Sequence, residues 1–248
     1  IFSDKKKESN PIFSVIHFAG LKSMQESIRY PLKYWTANVG STISLLEVME
    51  KYSCYSIVFS SSASIYKPKN IGLLKEDDFL EPLSPYGKTK LTIELILKDL
   101  HFNNLEKWRV ANLRYFNPVG AHESLLLGEK PKVNFSNLFP AIKQVLNKEK
   151  EYLLIFGNDW PTKDGTCIRD FIHVMDLAEA HVATLDYLLS KSSECLTLNI
   201  GTGIGLSVKE IINTYSRINR VNIMSMAQGN KYIVPSPVPG HLIPDRVE

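Results

Sequence analysis

Ser56-Ile57-Val58-Phe59-Ser60-Ser61-Ser62 and, further along, Ser84-Pro85-Tyr86-Gly87-Lys88-Thr89-Lys90 are the stretches whose reading decides the fold. The first is a short run of β-branched and aromatic residues closed by hydroxyls, the pattern of a buried strand. The second opens a helix, with Ser84-Pro85 at its start and helix-compatible residues running on to about 101. The same alternation continues on both sides: strand 14–18, helix about 31–51, strand 56–61, helix 85–101, strand 109–116. Alternation of this kind predicts right-handed βαβ units and a parallel sheet, with ligands at the carboxyl ends of the strands. Ser62, Phe116 and Asn117 fall at such ends. From about 121 the pattern loosens into a loop over 128–135, a helix near 136–148, a strand near 152–156 and a loop over 157–166. The expected organisation is therefore a parallel α/β domain over 1–120 and a smaller α+β lobe over 121–248, part of which folds back on the sheet.

Chemistry concentrates at the same place. Tyr86 and Lys90 are four residues apart, so on a helix they share a face. A phenol normally titrates near 10, and an adjacent ammonium lowers that value, which makes a base. A hydroxyl from Ser62 completes a trio suited to proton transfer coupled to hydride transfer on a carbinol. Tyr-x-x-x-Lys also arises by accident, as in Tyr187-Leu188-Leu189-Ser190-Lys191. No serine-ended strand precedes Tyr187 at a similar distance, so it reads as packing.

Several longer blocks resemble one family. His17-Phe18-Ala19-Gly20-Leu21-Lys22, Phe59-Ser60-Ser61-Ser62-Ala63, Ser84-Pro85-Tyr86-Gly87-Lys88 and Leu113-Arg114-Tyr115-Phe116-Asn117-Pro118-Val119-Gly120-Ala121-His122 are similar to UDP-galactose 4-epimerases. So are Ile155-Phe156-Gly157-Asn158-Asp159 and Asp164-Gly165-Thr166-Cys167-Ile168-Arg169-Asp170-Phe171-Ile172-His173-Val174. The blocks keep the family's order from about 12 to about 216. The resemblance implies a cytoplasmic, NAD-dependent enzyme, a homodimer when complete, that interconverts UDP-galactose and UDP-glucose through transient oxidation at C4. It implies Tyr86 as the base, Ser62 as the hydrogen-bond partner of the 4-oxygen, and Lys90 on the nicotinamide ribose. Phe18, Ala19, Gly20, Lys22, Asn38, Ser60, Tyr86, Lys90 and Phe116 would hold NAD. Lys22, Ser62, Tyr86, Asn117, Asn137, Leu138, Leu154, Ile155, Phe156 and Arg169 would hold the UDP-hexose, an Arg fork suiting a diphosphate and Asn a sugar.

The chain also departs from the pattern. The family begins with a strand and a Gly-rich turn that receives the NAD pyrophosphate at a helix N-terminus; here the first strand, Ser14-Val15-Ile16-His17-Phe18, resembles the family's fourth. Gly201-Thr202-Gly203-Ile204-Gly205 is no substitute, because the next Gly of G-x-G-x-x-G falls on Leu206 and no acidic residue follows between Ile211 and Pro244. Ser207-Val208-Lys209-Glu210 reads instead as a capping box. Pro237-Val238-Pro239-Gly240-His241 stands where the family has an Arg-Arg-x-Gly-Asp segment, and Lys67 stands where it has Gly. The fold expected is thus a partial Rossmann-type doubly wound sheet without its first strands, whose Val15-Ile16 strand is an open edge. The chain as it stands is expected to be inactive, and the alternative is a cofactor-free remnant or partner-binding pseudoenzyme. A dehydratase or decarboxylase is disfavoured, because Ala63 and Ser64 follow Ser62 where an acid would be needed.

Composition fits this. The 248 residues are 44% hydrophobic and 22% charged with a net charge of +3, which gives no support for a nucleic-acid partner. No apolar run reaches membrane-spanning length and no signal-peptide pattern opens the chain. Three scattered cysteines make no disulfide framework. Lys5-Lys6-Lys7 reads as a solvated loop, and His17 as a satisfied core histidine. His173, His181 and Asp176 could be imagined as metal ligands, but Asp176-Leu177-Ala178-Glu179 reads better as a capped helix start.

Overall fold

Ile57, Val58 and Phe59 are all fully buried, so both faces of their strand are covered. A central strand of a parallel sheet is apolar on successive residues for this reason. A computed structural model describes residues 1–7, 11–68, 72–129 and 137–228. Its elements are, in chain order, α1 (Phe2–Lys7), β1 (Val15–His17), α2 (Met24–Arg29), α3 (Pro31–Tyr34), a π-helical turn (Trp35–Gly40), α4 (Ser41–Lys51), β2 (Ser56–Ser62), a short 3-10 turn (Ala63–Ile65), α5 (Pro85–Asn103), β3 (Arg109–Tyr115), β4 (Asn117–Val119), α6 (Leu138–Leu146), β5 (Leu153–Phe156), β6 (Ile168–His173), α7 (Val174–Leu189), β7 (Glu194–Ile200), β8 (Gly205–Ser207), α8 (Val208–Asn219) and β9 (Ser225–Gln228).

The chain divides into two compact units. The first comprises Ile1–Lys67, Lys75–Tyr115 and Leu177–Ile200. Its sheet has the order β1-β2-β3-β7, with every described pairing parallel. Register runs Ser62↔Tyr115↔Ile200 at the carboxyl ends and Ser61↔Arg114↔Asn199 one residue below. Side chains alternate across a sheet, and the two faces have different covers. Ile57, Phe59 and Val110 pack with Leu46 and Met49 of α4 and with Ile93 and Leu97 of α5. Arg114 points to that face and meets Glu94 of α5, whereas Tyr115 points to the other and meets His181 of α7. Helices therefore cover both faces, as in a doubly wound α/β sheet.

The second unit contains 68, 72–74, 116–129, 137–176 and 201–228 among its described residues. It carries a sheet of order β4-β6-β8, parallel between β4 and β6 and antiparallel between β6 and β8, and a parallel β5-β9 pair. Ile142, Leu153, Ile155, Ile211, Ile212 and Ile223 form its core, with Phe139, Phe171 and Tyr215 stacked edge-on beside it.

Local chemistry explains the element boundaries. Ser84 caps α5 by accepting the Gly87 N–H at 3.1 Å. Ser207 and Glu210 close the capping box of α8. His17 is 6% exposed and bonds Thr42 at 2.9 Å, the satisfied core histidine expected. Some expectations are corrected. The segment with Lys5-Lys6-Lys7 is helical as part of α1, not a loop. The helix expected to start at Asp176 starts at Val174, because the His173 imidazole accepts the Met175 N–H at 3.3 Å and so replaces a carboxylate cap. Lys67 pairs with Glu81 at 2.9 Å. The Pro-rich stretch 234–244, and most of the loop expected over 128–135, lie outside the described residues. Among the described residues no helix is long and apolar enough to cross a membrane.

Candidate active site

In the first unit the trio comes together at the end of β2 and the start of α5. Ser62 is the last residue of β2, where its Oγ accepts the Ser64 N–H at 3.2 Å and caps the 3-10 turn. The same hydroxyl acts on the Tyr86 phenol, opposing the rise in pKa that burial gives it. Lys90, one turn further along α5, is 5% exposed and donates to the Ser60 carbonyl at 2.6 Å. Its Nζ stands 4.8 Å from the Phe59 ring centroid and 5.9 Å from that of Tyr86.

Electrostatics correct one expectation. Lys90 was expected to lower the Tyr86 pKa, but burial raises the phenol above its ordinary value, and the opposing influence is the Ser62 hydrogen bond. Lys90 is itself driven down to about 8 by desolvation, which the Glu94 carboxylate partly offsets.

Residues outside the expected set also meet here. The Tyr115 hydroxyl bonds His181 Nε2, and His181 Nδ1 lies 2.7 Å from the Leu177 carbonyl. A carbonyl only accepts, so the proton sits on Nδ1, Nε2 is the acceptor, and Tyr115 donates to it. Burial raises the Tyr115 pKa, opposed by a Ser60 hydrogen bond and reinforced by the charge of Tyr86. Burial holds the His181 pKa below its usual value. Nothing in the spacing of Tyr115 and His181, 66 residues apart, announces this pair.

The segment after β1 approaches the same place. Phe18 is 57% exposed with its ring 4.7 Å from His181, while Ala19, Gly20 and Lys22 are exposed. Asn38 is buried in the π-helical turn, a feature often found at functional positions. Its amide accepts from Leu21 N at 2.7 Å and donates to Leu21 O and Thr89 Oγ1, each at 3.1 Å. These bonds use the side chain inside the protein, so Asn38 serves this segment by holding it.

The second unit carries the remaining expected residues. Phe116 packs over Gly201, where an added Cβ would lie 2.8 Å from its ring. Asn117 donates to Asp170 O at 3.0 Å. Asn137 stands at the N-cap of α6 without capping it and donates to Glu129 at 2.8 Å, while Leu138 begins the helix against the core. In β5 the alternation turns Leu154 and Phe156 outward and Ile155 into the core, so Ile155 offers only its backbone to a ligand. Arg169 lies on β6 opposite Leu206 and donates to Ile168 O at 3.0 Å. The Gly201-to-Gly205 turn is taken up internally. The buried Asp170 carboxylate accepts from Thr202 N at 2.9 Å, Thr202 Oγ1 at 2.8 Å and Gly203 N at 2.8 Å, which leaves those amides unavailable to a phosphate.

Comparison with known proteins is consistent in its direction. The NAD dependent epimerase/dehydratase family matches residues 4–201. The chain is 49% identical over 210 residues to a UDP-glucose 4-epimerase of Bacillus subtilis (strain 168), covering 85% of this chain and 61% of the relative. It is 48% identical over 217 residues to UDP-glucose 4-epimerase 4 of Oryza sativa subsp. japonica, covering 87% and 58% respectively. The chain thus spans about three fifths of the length of these curated relatives. Among solved structures it resembles a UDP-glucose 4-epimerase from Bifidobacterium longum in complex with NAD+ and UDP, with a TM-score of 0.84, 40% identity, and coverage of 98% of this chain and 69% of that one.

Proposed function

The chain belongs to the NAD dependent epimerase/dehydratase family, and on that premise we propose that the protein interconverts UDP-galactose and UDP-glucose. The observation that carries this reading is the junction of Ser62, Tyr86 and Lys90 at a strand end and helix start. Relatives that are UDP-glucose 4-epimerases, and a neighbour crystallised with NAD+ and UDP, support the choice within the family.

The residues present fit NAD in chemical type. A Cβ on Gly20 would lie 3.2 Å from Asn38 Oδ1 and 4.0 Å from Lys90 Nζ, so the chain passes there without a side chain in the way of a ligand. In the first unit, Lys90, Ser60 and the 18–22 segment would hold the cofactor, with Asn38 fixing that segment. NAD, when bound, supplies the acceptor and donor of hydride for C4 of the hexose. Once ionised, Tyr86 Oη would take the proton of the 4-hydroxyl and later return it, while Ser62 Oγ would hold that oxygen. In the second unit, Arg169 and Asn117 supply the donors for a diphosphate and a hexose, and Leu154 and Phe156 offer apolar surface. The outward faces of α4 and α5 expose Ile43, Val48, Leu95 and Phe102, which favours a homodimer joined through these helices. A cytoplasmic setting follows from the same reading.

The test is conversion of UDP-galactose to UDP-glucose by the purified full-length protein, with Tyr86→Phe as the control. Turnover should fall by about 100-fold or more in the variant, the usual worth of a positioned acid–base group. Near-normal turnover there would sink the assigned base. A protein that neither retains NAD nor turns over substrate would favour the cofactor-free alternative.

A further inference from the structure

Tyr86, Lys90 and Glu94 recur every four residues on α5, and the third member has no part in the reaction just described. Glu94 is 5% exposed. Its carboxylate accepts from Ser61 Oγ on β2 and, as a two-bond fork, from Arg114 Nε at 3.1 Å and Nη2 at 2.7 Å on β3. Arg114 Nη1 continues to Tyr66 Oη at 2.8 Å and Glu76 O at 2.9 Å, and Tyr66 Oη donates to Asn199 Oδ1 on β7 at 2.6 Å. Ser61, Arg114 and Asn199 are register partners, so they form one row across three strands. That row lies directly below the row that contains Ser62 and Tyr115. A bidentate ion pair is directional as well as strong, so it fixes both the position and the rotation of the helix that bears it.

We infer that Glu94 is a positioning residue, which through Ser61 and Arg114 sets helix α5, and with it Tyr86 and Lys90, against the strand end that carries Ser62. The turnover part of this inference rests on the epimerase reading; the structural part does not. The charge of Glu94 also acts on Lys90, supporting its protonated form against burial. Other charged or titratable groups bear on this pair: Tyr86 on α5, His17 on β1, Arg114 on β3 and Cys195 on β7, the last two coupled to Glu94 directly.

Two variants test it, Glu94→Gln and the double substitution E94M/R114M, which replaces the buried ion pair with apolar groups that can keep the fold stable. Three quantities are read: thermal stability, kcat against KM for UDP-galactose, and the pH midpoint of Lys90 acetylation followed by mass spectrometry. In both variants the Lys90 midpoint should fall below its value near 8, and kcat should drop about tenfold or more with KM little changed, the pattern of a lost transition-state arrangement. In the double variant stability should recover while kcat and the midpoint do not. If kcat and the midpoint return together with stability, the pair is only structural and the inference is overturned. If the unsubstituted protein shows no turnover, the epimerase reading fails, and an unmoved Lys90 midpoint would then overturn the role given to Glu94.

Discussion

At the residue scale, the candidate site sets solvation against charge. Lys90 is taken from an ordinary value of 10.5 to about 8, so below pH 8 the folded protein bears a desolvation cost of about 3 kcal/mol that the unfolded chain does not. The sign follows from proton counts. Between pH 8 and 10.5 the unfolded state binds the proton and the folded state does not, so this contribution makes stability rise with pH. Lys90→Met should therefore stabilise the fold at pH 7, by up to about 3 kcal/mol less the loss of the Ser60 hydrogen bond, and the advantage should shrink by pH 10. Denaturant titrations at the two pH values check it, and an advantage that does not change with pH would refute the assignment. The Tyr86 and Lys90 pair was legible in the sequence because helical spacing fixes a shared face. The electrostatic balance was not, because desolvation depends on Phe59, Ser60 and neighbours that spacing does not supply.

At the element scale, short polar contacts decide where helices begin and what the glycine turn holds. Ser84→Ala removes the cap on Gly87 N at the very end of α5 that bears Tyr86, and should cost about 1 kcal/mol of stability. Asp170→Asn should cost more. It exchanges a carboxylate that accepts three hydrogen bonds for an amide whose NH2 must face donors, and charge-assisted bonds are worth about 1.5–3 kcal/mol each. Amide exchange over 201–205 should accelerate in that variant, and retained protection there would contradict the role given to the carboxylate. The caps at Ser84 and Ser207 could be read from sequence because they are local. The Asp170 latch could not, since its partners lie more than thirty residues away. The helix start at Val174 escaped for a related reason: an imidazole does a cap's work there only because β6 runs directly into α7.

At the scale of the whole molecule, the first unit is assembled from three separate stretches, the last of which supplies β7. β3 pairs with β7 along its whole length, from Arg109↔Glu194 to Tyr115↔Ile200. A fragment containing residues 1–120 alone should therefore fail to fold cooperatively, because its sheet would lose a strand and expose β3 as an edge. Circular dichroism with thermal melting checks this, and a sharp transition in the fragment would count against it. Ile142→Ala in the second core should cost about 2–5 kcal/mol, read as a lower denaturation midpoint. By itself the sequence determined the parallel α/β alternation, the caps of α5 and α8 and the shared face of Tyr86 and Lys90, since each follows from spacing within a few residues. Only the tertiary structure decided which segment, 177–200, returns to the first sheet, the Tyr115–His181 pair and the Glu94–Arg114 anchor. Those depend on which distant segments meet in a dry interior, where pairing and desolvation are settled together.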